Sequence, residues 1–285
     1  MKKYSRWLAL LIVCVVALLG RFIPPVEKPS QKAPGDVVRT HFIDVGQGDS
    51  EFIELPGGKT MLIDAGEQGS GPTVTHYIQE LGYERIDYVV ATHPHADHIG
   101  GMAKVLVSFD IGTVYMPNKE HTSKTFETML DTIEKKKIPL YTAKAGVAVL
   151  EEGDLRIEIL SPVSDSYEDL NNYSAVVKIT YGMSGLLFTG DAEKLVEKEI
   201  LSDNLQAQVL KVGHHGASTS SGEEFLQAVA PQYAVISCAK NNEYGHPHKE
   251  TIGALNKIGC TILRTDQIGT VVLDADANGA VAQVE

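Results

Sequence analysis

Four residues of types that commonly bind metal ions lie within one short stretch of this chain. Residues 93–98 read His-Pro-His-Ala-Asp-His, directly after the apolar run 86–91 and before two glycines. That pattern predicts a buried strand that ends in a loop. Imidazole and carboxylate are ligands that divalent ions such as zinc bind well. A loop that is rich in histidine by chance is the alternative, and the tight spacing disfavours it.

The same arrangement recurs elsewhere in the sequence, because other apolar runs that predict strands also end in polar residues. The further acids and histidines at these ends are Asp44, Asp64, Asp191, His214 and His215. Strand ends of one sheet share a common edge, so these residues can converge although they are far apart in sequence. We therefore expect one metal site with more than one ion.

The residues at these ends differ in the role they can take. Asp191 can bridge two ions, although aspartate at this position also suits the start of a helix. His214 and His215 lie between two glycines, and the sequence does not decide which binds metal and which faces a substrate. Asp64, and with it Asp44, is a candidate hydrogen-bond acceptor for a ligand histidine.

Five further polar residues are candidates for contact with a substrate. His246 and His248 open a predicted helix whose N-terminus would attract an anion, or they are incidental polar residues of a turn. Asn172 and Ser174 precede a predicted strand and can position a substrate or form a turn. Lys211 can meet a phosphate, and a solvated lysine is the alternative.

The N-terminus predicts export. Lysines and an arginine precede an apolar run over residues 7–20, which has the length of a signal-peptide core and is short for spanning a bilayer. We expect a signal peptide or membrane anchor over 1–23, a proline-rich linker over 24–37 and one domain over 38–285. The positive flank stays inside, so the domain is expected outside the cytoplasm, secreted or anchored to the membrane.

Composition limits the range of functions. The chain is 43% hydrophobic, as in an ordinary globular protein, and its formal net charge is −12. A protein whose whole surface binds long nucleic acid is usually basic, so the charge counts against tight electrostatic binding of DNA and favours a small substrate. A local basic patch around the site is the alternative. Cys238 and Cys260 could form one disulfide or remain two buried thiols.

The order of predicted elements gives the fold class. Strands come first in each half of the chain and helices come later, as in two sheets sandwiched between helices. Residues 93–98 match the signature of the metallo-β-lactamase superfamily. Six other strings resemble the hydrolase domain of ComEC/Rec2-type competence proteins: HFIDVGQGDS (41–50), LIDAG (62–66), NNYS (171–174), FTGD (188–191), KVGHHG (211–216) and YGHPH (244–248). The resemblance, over about residues 38–274, implies an α/β (α+β) fold, an αββα sandwich with a binuclear metal site at one edge.

The resemblance also implies a ligand set. It assigns His93 and His95 to a first ion, Asp97 and His98 to a second, and Asp191 to a bridge between them. By analogy with phosphodiesterase members, the second of the paired histidines at 214–215 joins the second ion and the first acts on the scissile group.

One departure from the superfamily affects the metal. Many members have another histidine between the first cluster and the bridging aspartate, whereas residues 160–174 contain none. The first ion therefore has fewer protein ligands, and Mn²⁺ becomes a candidate beside Zn²⁺.

Together these features predict an exported hydrolase that uses two divalent ions, Zn²⁺ or Mn²⁺, on nucleic acid or a small phosphodiester. His214 would stabilise the transition state or protonate the leaving group, with Asp97, Lys211 and His248 as further catalytic candidates. Hydrolysis of a small ester or lactam, and a non-catalytic DNA-uptake module, are the alternatives. Membrane contact through the N-terminal segment is expected, and the sequence indicates no particular protein partner.

Overall fold

Apolar runs of the sequence form strands that assemble into two sheets. The computed structural model describes residues 33–284, so the predicted signal or anchor segment and most of the predicted linker lie outside the described residues. In chain order, the strands of this part of the chain are β1 (Val37–Phe42), β2 (Glu51–Glu54), β3 (Thr60–Ile63), β4 (Arg85–Val90), β5 (Asp110–Met116), β6 (Leu140–Thr142), β7 (Val147–Glu152), β8 (Leu155–Ile159), β9 (Val177–Tyr181), β10 (Ser184–Phe188), β11 (Val209–Lys211), β12 (Tyr233–Ile236), β13 (Thr261–Arg264), β14 (Val271–Asp276) and β15 (Val281–Gln283).

The two sheets divide the chain nearly in halves. The first sheet has the order β15-β14-β1-β2-β3-β4-β5-β6, and the second has the order β13-β12-β11-β10-β9-β8-β7. The return of β14 beside β1, in antiparallel register, ties the C-terminal part of the chain into the first sheet. β3, β4 and β5 run parallel, as do β10, β11, β12 and β13. These parallel groups bring the ends of their strands to common edges.

Helices cover the outer faces of both sheets. Within residues 33–284 they are α1 (Gly71–Glu80), α2 (Ala96–Ile99), α3 (Met102–Ser108), α4 (Lys124–Lys136), α5 (Lys194–Glu199), α6 (Glu223–Val229), α7 (Lys249–Ile258) and α8 (Thr265–Ile268). Ser123 caps the start of α4, because its side chain accepts a hydrogen bond from Phe126 N at 3.2 Å. None of the described helices is both long and apolar enough to cross a bilayer.

Three apolar clusters define the layers. The first lies between the two sheets, where the rings of Phe42 and Phe188 stack with centroids 6.0 Å apart. The second packs α1, α3 and α4 on the outer face of the first sheet, and the third packs α5, α6 and α7 on the second sheet. Burial of apolar surface on both faces of each sheet drives this arrangement. The αββα sandwich predicted from the sequence is therefore confirmed.

Some local predictions need correction. The helix that follows Asp191 begins only after Glu193, so Asp191 does not take the alternative role of its N-cap. β6 and β15 are edge strands that the sequence did not reveal, because most of their side chains are exposed and show no alternation of burial. Cys238 and Cys260 are free thiols, the first buried and the second half-buried.

Candidate metal centre

Predicted ligands from both sheets meet at one edge of the sandwich. β3 and β4 are parallel neighbours in the first sheet, and β10 and β11 are parallel neighbours in the second. Asp64 and the 93–98 loop follow the first pair, while Asp191 and the 213–216 turn follow the second. Backbone and side-chain contacts join the two sides, since Ala175 N donates to Thr92 O at 2.9 Å and Ser174 Oγ contacts His93 Nδ1 at 3.3 Å.

Asp97, His98, Asp191 and His215 form one group of ligand atoms. Nε2 of His98 lies 3.3 Å from Asp191 Oδ1, and Nε2 of His215 lies 3.3 Å from Asp97 Oδ2 and 3.6 Å from Asp191 Oδ1. Asp191 and both histidines are almost fully buried, while the side chain of Asp97 is 34% exposed. Asp97 is therefore the member of this group that faces the solvent side.

A second group lies on the other side of the Asp191 carboxylate and consists of His93, His95 and Asp191. His93 Nε2 is 3.8 Å from Asp191 Oδ2 and 2.9 Å from His95 Nδ1. The two oxygens of Asp191 thus face different groups, as a bridging carboxylate requires. This group has three protein ligands where the other has four.

The donor set fits a pair of divalent ions. Three buried atoms, His98 Nε2, His215 Nε2 and Asp191 Oδ1, make no hydrogen bond of acceptable geometry with any described residue. Such atoms are rare in folded proteins, because an unsatisfied buried polar group costs about 1–3 kcal/mol. All three converge on the space between the ligands. Imidazole and carboxylate donors in this arrangement match a zinc or manganese site, and they do not by themselves fix the metal.

The charges of the site also point to a cation. Burial alone would lower the pKa of His215, but the carboxylates of Asp191 and Asp49 raise it to about 10. Burial would raise the pKa of Asp191, yet the neighbouring histidines hold it well below its usual range. The carboxylates thus stabilise positive charge on the histidines of the pocket. A metal ion would take the place of the protons on the imidazoles, because ligand histidines must be neutral.

Asp64 lies where the sequence places it, behind a ligand histidine. Its carboxylate is fully buried and accepts from Thr92 N at 2.8 Å and Thr92 Oγ1 at 2.6 Å, and it contacts His98 Nδ1 at 2.7 Å. Holding Nδ1 directs Nε2 of His98 to the metal side.

Asp44 does not hold a ligand histidine in the way that Asp64 does. Its carboxylate is exposed and accepts a hydrogen bond from Gly46 N at 3.1 Å. Asp49, further along the same loop, fills the position instead. Its Oδ1 lies 3.2 Å from His215 Nδ1 and its Oδ2 lies 2.7 Å from Lys211 Nζ. The sequence signal is the acid that ends the Gly-Gln-Gly-Asp string, whereas the prediction named Asp44, two residues before that string.

Close backbone packing holds the Asp49 loop beneath the histidine loop. Asp49 N donates to Asp97 O at 3.2 Å. A Cβ on Gly48 would lie only 2.4 Å from that same carbonyl oxygen, so glycine is required there. The two loops therefore form one unit under the ligands.

The paired histidines take different directions. Both have left-handed backbone conformations, with φ of 52° for His214 and 53° for His215. This conformation is strained for residues other than glycine, and such strain is common at functional sites. The turn buries His215 among the ligands, whereas the side chain of His214 is 23% exposed. Nδ1 of His214 contacts Thr219 Oγ1 at 3.1 Å, and its Nε2 contacts Asn171 Nδ2 at 3.4 Å. This division matches the assignment that the resemblance implies.

Lys211 and His248 do not face a substrate. The Lys211 ammonium is buried against Asp49 and donates to Val212 O at 2.9 Å, so it cannot reach a phosphate in the cavity. His248 Nδ1 accepts from Ser218 N at 3.0 Å, and its Nε2 lies 3.2 Å from Tyr244 O. Both ring nitrogens of His248 thus serve the local loop structure.

Two residues proposed for substrate binding serve the framework as well. Ser174 is fully buried, and its hydroxyl contacts His93 Nδ1 at 3.3 Å in addition to Asp191 N. Asn172 is paired with Glu193 through its side-chain oxygen and nitrogen. Its neighbour Asn171 faces the site instead, which sequence reasoning could not resolve because the strand had not yet begun.

A cavity of about 270 Å³ opens over the ligands. Its lining is Gln47, His95, Ala96, Asp97, Asn171, Asp191, His214, His215, Tyr244 and His246. His246, predicted as a substrate contact, does line this cavity. The cavity gives a small polar group access to ligands of both metal groups.

Fold and site define the family. A family model of the metallo-beta-lactamase superfamily matches residues 43–240, and the chain belongs to this superfamily. The family and the two ligand groups support a metal-dependent hydrolase with a possible dimetal site.

Within the superfamily, the chain is similar to proteins named for competence. It is 33% identical over 278 residues to ComE operon protein 3 of Bacillus subtilis, covering 91% of this chain and 35% of that protein. It is 30% identical over 244 residues to competence protein ComA of Neisseria gonorrhoeae, covering 84% of this chain and 33% of the relative. The chain therefore spans about a third of the length of these relatives.

Solved structures confirm the fold alone. CmlA, a diiron β-hydroxylase from Streptomyces venezuelae, superposes with a TM-score of 0.57 at 14% identity, covering 88% of this chain and 55% of that chain. Because a hydroxylase shares the fold, the architecture by itself does not fix the reaction.

Proposed function

We propose that this protein is an exported phosphodiesterase or nuclease that depends on two divalent ions. The observation that carries the proposal is the pair of ligand groups that share Asp191 and open on one cavity, with His214 at its side. Bound there, two divalent ions supply an activated water and neutralise charge on both the attacking and the leaving oxygens of a phosphodiester. Similarity to competence proteins supports nucleic acid as the substrate class.

The protein's own residues would orient and protonate the substrate. Hydrolysis adds the OH of water to phosphorus, breaks one P–O ester bond and leaves a proton for the departing oxygen. His214 would deliver that proton from Nε2 as an imidazolium, with its Nδ1 held by Thr219 Oγ1 and its ring lining the cavity. Asn171, 3.4 Å from that Nε2, would restrain the ring and contact the same substrate.

Export is part of the proposal. The predicted signal or anchor lies outside the described residues, and its charge pattern supports a domain placed beyond the cytoplasm, secreted or held at the membrane. The net charge of −12 favours a second candidate, hydrolysis of a small ester or lactam, since an acidic surface does not attract a long polyanion.

One set of assays separates these candidates. The protein is stripped of metal, reloaded with Mn²⁺ or Zn²⁺ and analysed for bound metal. It is then assayed with single-stranded DNA, bis-p-nitrophenyl phosphate, a p-nitrophenyl ester and a lactam. We expect phosphodiester hydrolysis that is lost in His95→Ala and Asp97→Ala, while Tyr141→Ala, on the exposed edge strand β6, keeps it. Undiminished turnover in either ligand variant would contradict the metal assignment, and turnover of the ester or lactam alone would favour the second candidate.

A further inference from the structure

A larger cavity lies beside the metal cavity. A neighbouring cavity of about 580 Å³ is lined by Ala239, Lys240, Asn241, Asn242, Gly245, His246, Pro247, Arg264, Asp266 and Gln267. His246 belongs to both cavities. Its Nδ1 is buried and makes no hydrogen bond with any described residue, although such an atom normally has a partner. A ligand that extends from the metal cavity into the larger one would pass beside the ring of His246.

An aromatic ring stands at the rim of the metal cavity. The ring of Tyr244 stacks on His246 with centroids 5.5 Å apart and an angle of 22°, and His246 lies nearly parallel to His215 at 6.2 Å and 26°. Tyr244 is nevertheless 66% exposed. One face of the ring is supported from within and the other is open, which is the geometry of a platform for a flat ligand.

The loop that carries this ring is fixed by hydrogen bonds. Asn242 Oδ1 accepts from His246 N at 2.9 Å, and its Nδ2 donates to Ala239 O at 2.9 Å and His246 O at 2.6 Å. Gln47 Oε1 accepts from Ala239 N at 3.1 Å, which ties the loop to the metal side. Little conformational entropy would be lost when a ligand stacks on a ring held in this way.

The lining of the larger cavity can balance the charge of one anionic group. Arg264 is neutralised by Asp266, with contacts of 2.9 and 2.7 Å. Lys240 is exposed and makes no ion pair with another described residue. Side-chain amides of Asn241 and Gln267 supply the remaining polar groups that a ligand could contact. A sugar with one phosphate suits this lining, whereas a simple phosphodiester would fill the metal cavity and leave the larger one unused.

We propose that the larger cavity and Tyr244 form a nucleotide subsite beside the scissile phosphodiester. Tyr244 stacks the neighbouring base, the ring of His246 lies beside the sugar-phosphate unit and Lys240 pairs with its phosphate. This inference rests on the proposed function and specifies how that site would select a nucleic-acid strand. Stacking then carries more of the affinity than charge does, in keeping with an acidic protein.

The test combines removal of the bases from the substrate strand with removal of the Tyr244 ring from the protein. Metal-loaded protein cleaves a short single-stranded oligonucleotide and the matching strand built from abasic units. In the wild type, loss of the bases should lower kcat/KM roughly ten- to a hundredfold, the range measured for stacked bases. Tyr244→Ala should lose a similar factor on the strand with bases and far less on the abasic strand. Tyr244→Phe keeps the ring and should retain the wild-type preference.

Two further variants complete the design. Tyr141→Ala removes a tyrosine that is 57% exposed and stacks on Tyr115, and it should behave as the wild type. Lys240→Gln should weaken binding of both strands equally and reduce the salt slope of binding by about 0.7, the share of one phosphate. Equal loss on both strands in Tyr244→Ala, or no loss, would overturn the subsite.

The subsite and the proposed function can fail separately. If phosphodiesters are cleaved without regard to the bases, the subsite is wrong and the function stands. If no strand is cleaved, the proposed nuclease fails, and fluorescence anisotropy with the same two strands still tests the subsite. Tighter binding of the strand with bases, lost in Tyr244→Ala, would support it, and equal binding of both strands would refute it.

Discussion

Replacing Asp49 by asparagine tests the buried charge network beneath the metal site. Asp49 and Lys211 have side chains only 1% exposed and lie 2.7 Å apart. Asp49→Asn preserves the shape and removes the negative charge, so the Lys211 ammonium remains buried without its partner. The same change leaves Nδ1 of His215 with Ser237 O, at 3.0 Å, as its remaining described acceptor.

The expected loss follows from the cost of an uncompensated charge. Breaking a buried ion pair from one side costs about 3–5 kcal/mol. The ability of Glu51 to ionise decides where Asp49→Asn falls in that range. Burial and the charge of Asp49 raise the pKa of Glu51 well above its usual value. With Asp49 neutralised, Glu51 can ionise beside Lys211. Asp49→Asn should therefore cost about 3 kcal/mol, and Asp49→Asn with Glu51→Gln about 5 kcal/mol.

Urea unfolding of the metal-free protein at neutral pH measures these changes. The matched control is Asp49→Asn with Lys211→Met, which leaves no charge of this pair buried and should recover most of the loss. Metal affinity should fall about ten- to a hundredfold in Asp49→Asn, because His215 loses the acceptor that orients it. A single variant within about 0.5 kcal/mol of the wild type would refute the reasoning. An Asp49→Asn, Lys211→Met variant that is no more stable than Asp49→Asn alone would refute it as well.

Three other predictions concern pH, metal stoichiometry and the framework. Burial raises the pKa of Glu197 to about 7 despite two backbone N–H donors, from an ordinary value of 4.5. As pH rises, the unfolded chain loses this proton at a lower pH than the folded protein does. The free energy of unfolding should therefore fall by up to about 3 kcal/mol between pH 4.5 and about pH 7. Urea unfolding across this range should show a flatter profile for Glu197→Gln, and an unchanged profile would contradict the assignment. Titration of the metal-free protein should show unequal sites, with the ion on His93 and His95 the weaker, and two equal tight sites would contradict that. Ser174→Ala should weaken metal binding about tenfold, since it removes a partner of Asp191 and His93, with little change in KM at saturating metal. A change in KM alone would restore Ser174 as a substrate contact.

Much of the site was predictable because its ligands are concentrated in sequence. His93 to His98 stand together after a buried strand, and the acids and histidines at other strand ends share that position. Parallel strands of a sheet end at a common edge, so the topology places these residues together without further information. The αββα layering followed from the same apolar runs.

The sequence could not decide between neighbours. Asp44 and Asp49 belong to one loop, and Asn171 and Asn172 are adjacent, yet only the second acid and the first amide turn to the site. Loops have no periodic pattern of burial, so the direction of a side chain depends on long-range packing. The same holds for Lys211, whose buried pairing with Asp49 joins residues 162 positions apart in sequence.

The sequence by itself determined the class of fold, the chemical identity of the ligands and the order in which they appear. Only the tertiary structure decided which group each side chain joins and which polar residues support the site from behind. It also placed Tyr244 and His246 at the boundary of two cavities. Ligand identity depends on side-chain chemistry, which the sequence states directly. Cavities and buried ion pairs depend on contacts between distant segments, which form only when both sheets and their loops pack together.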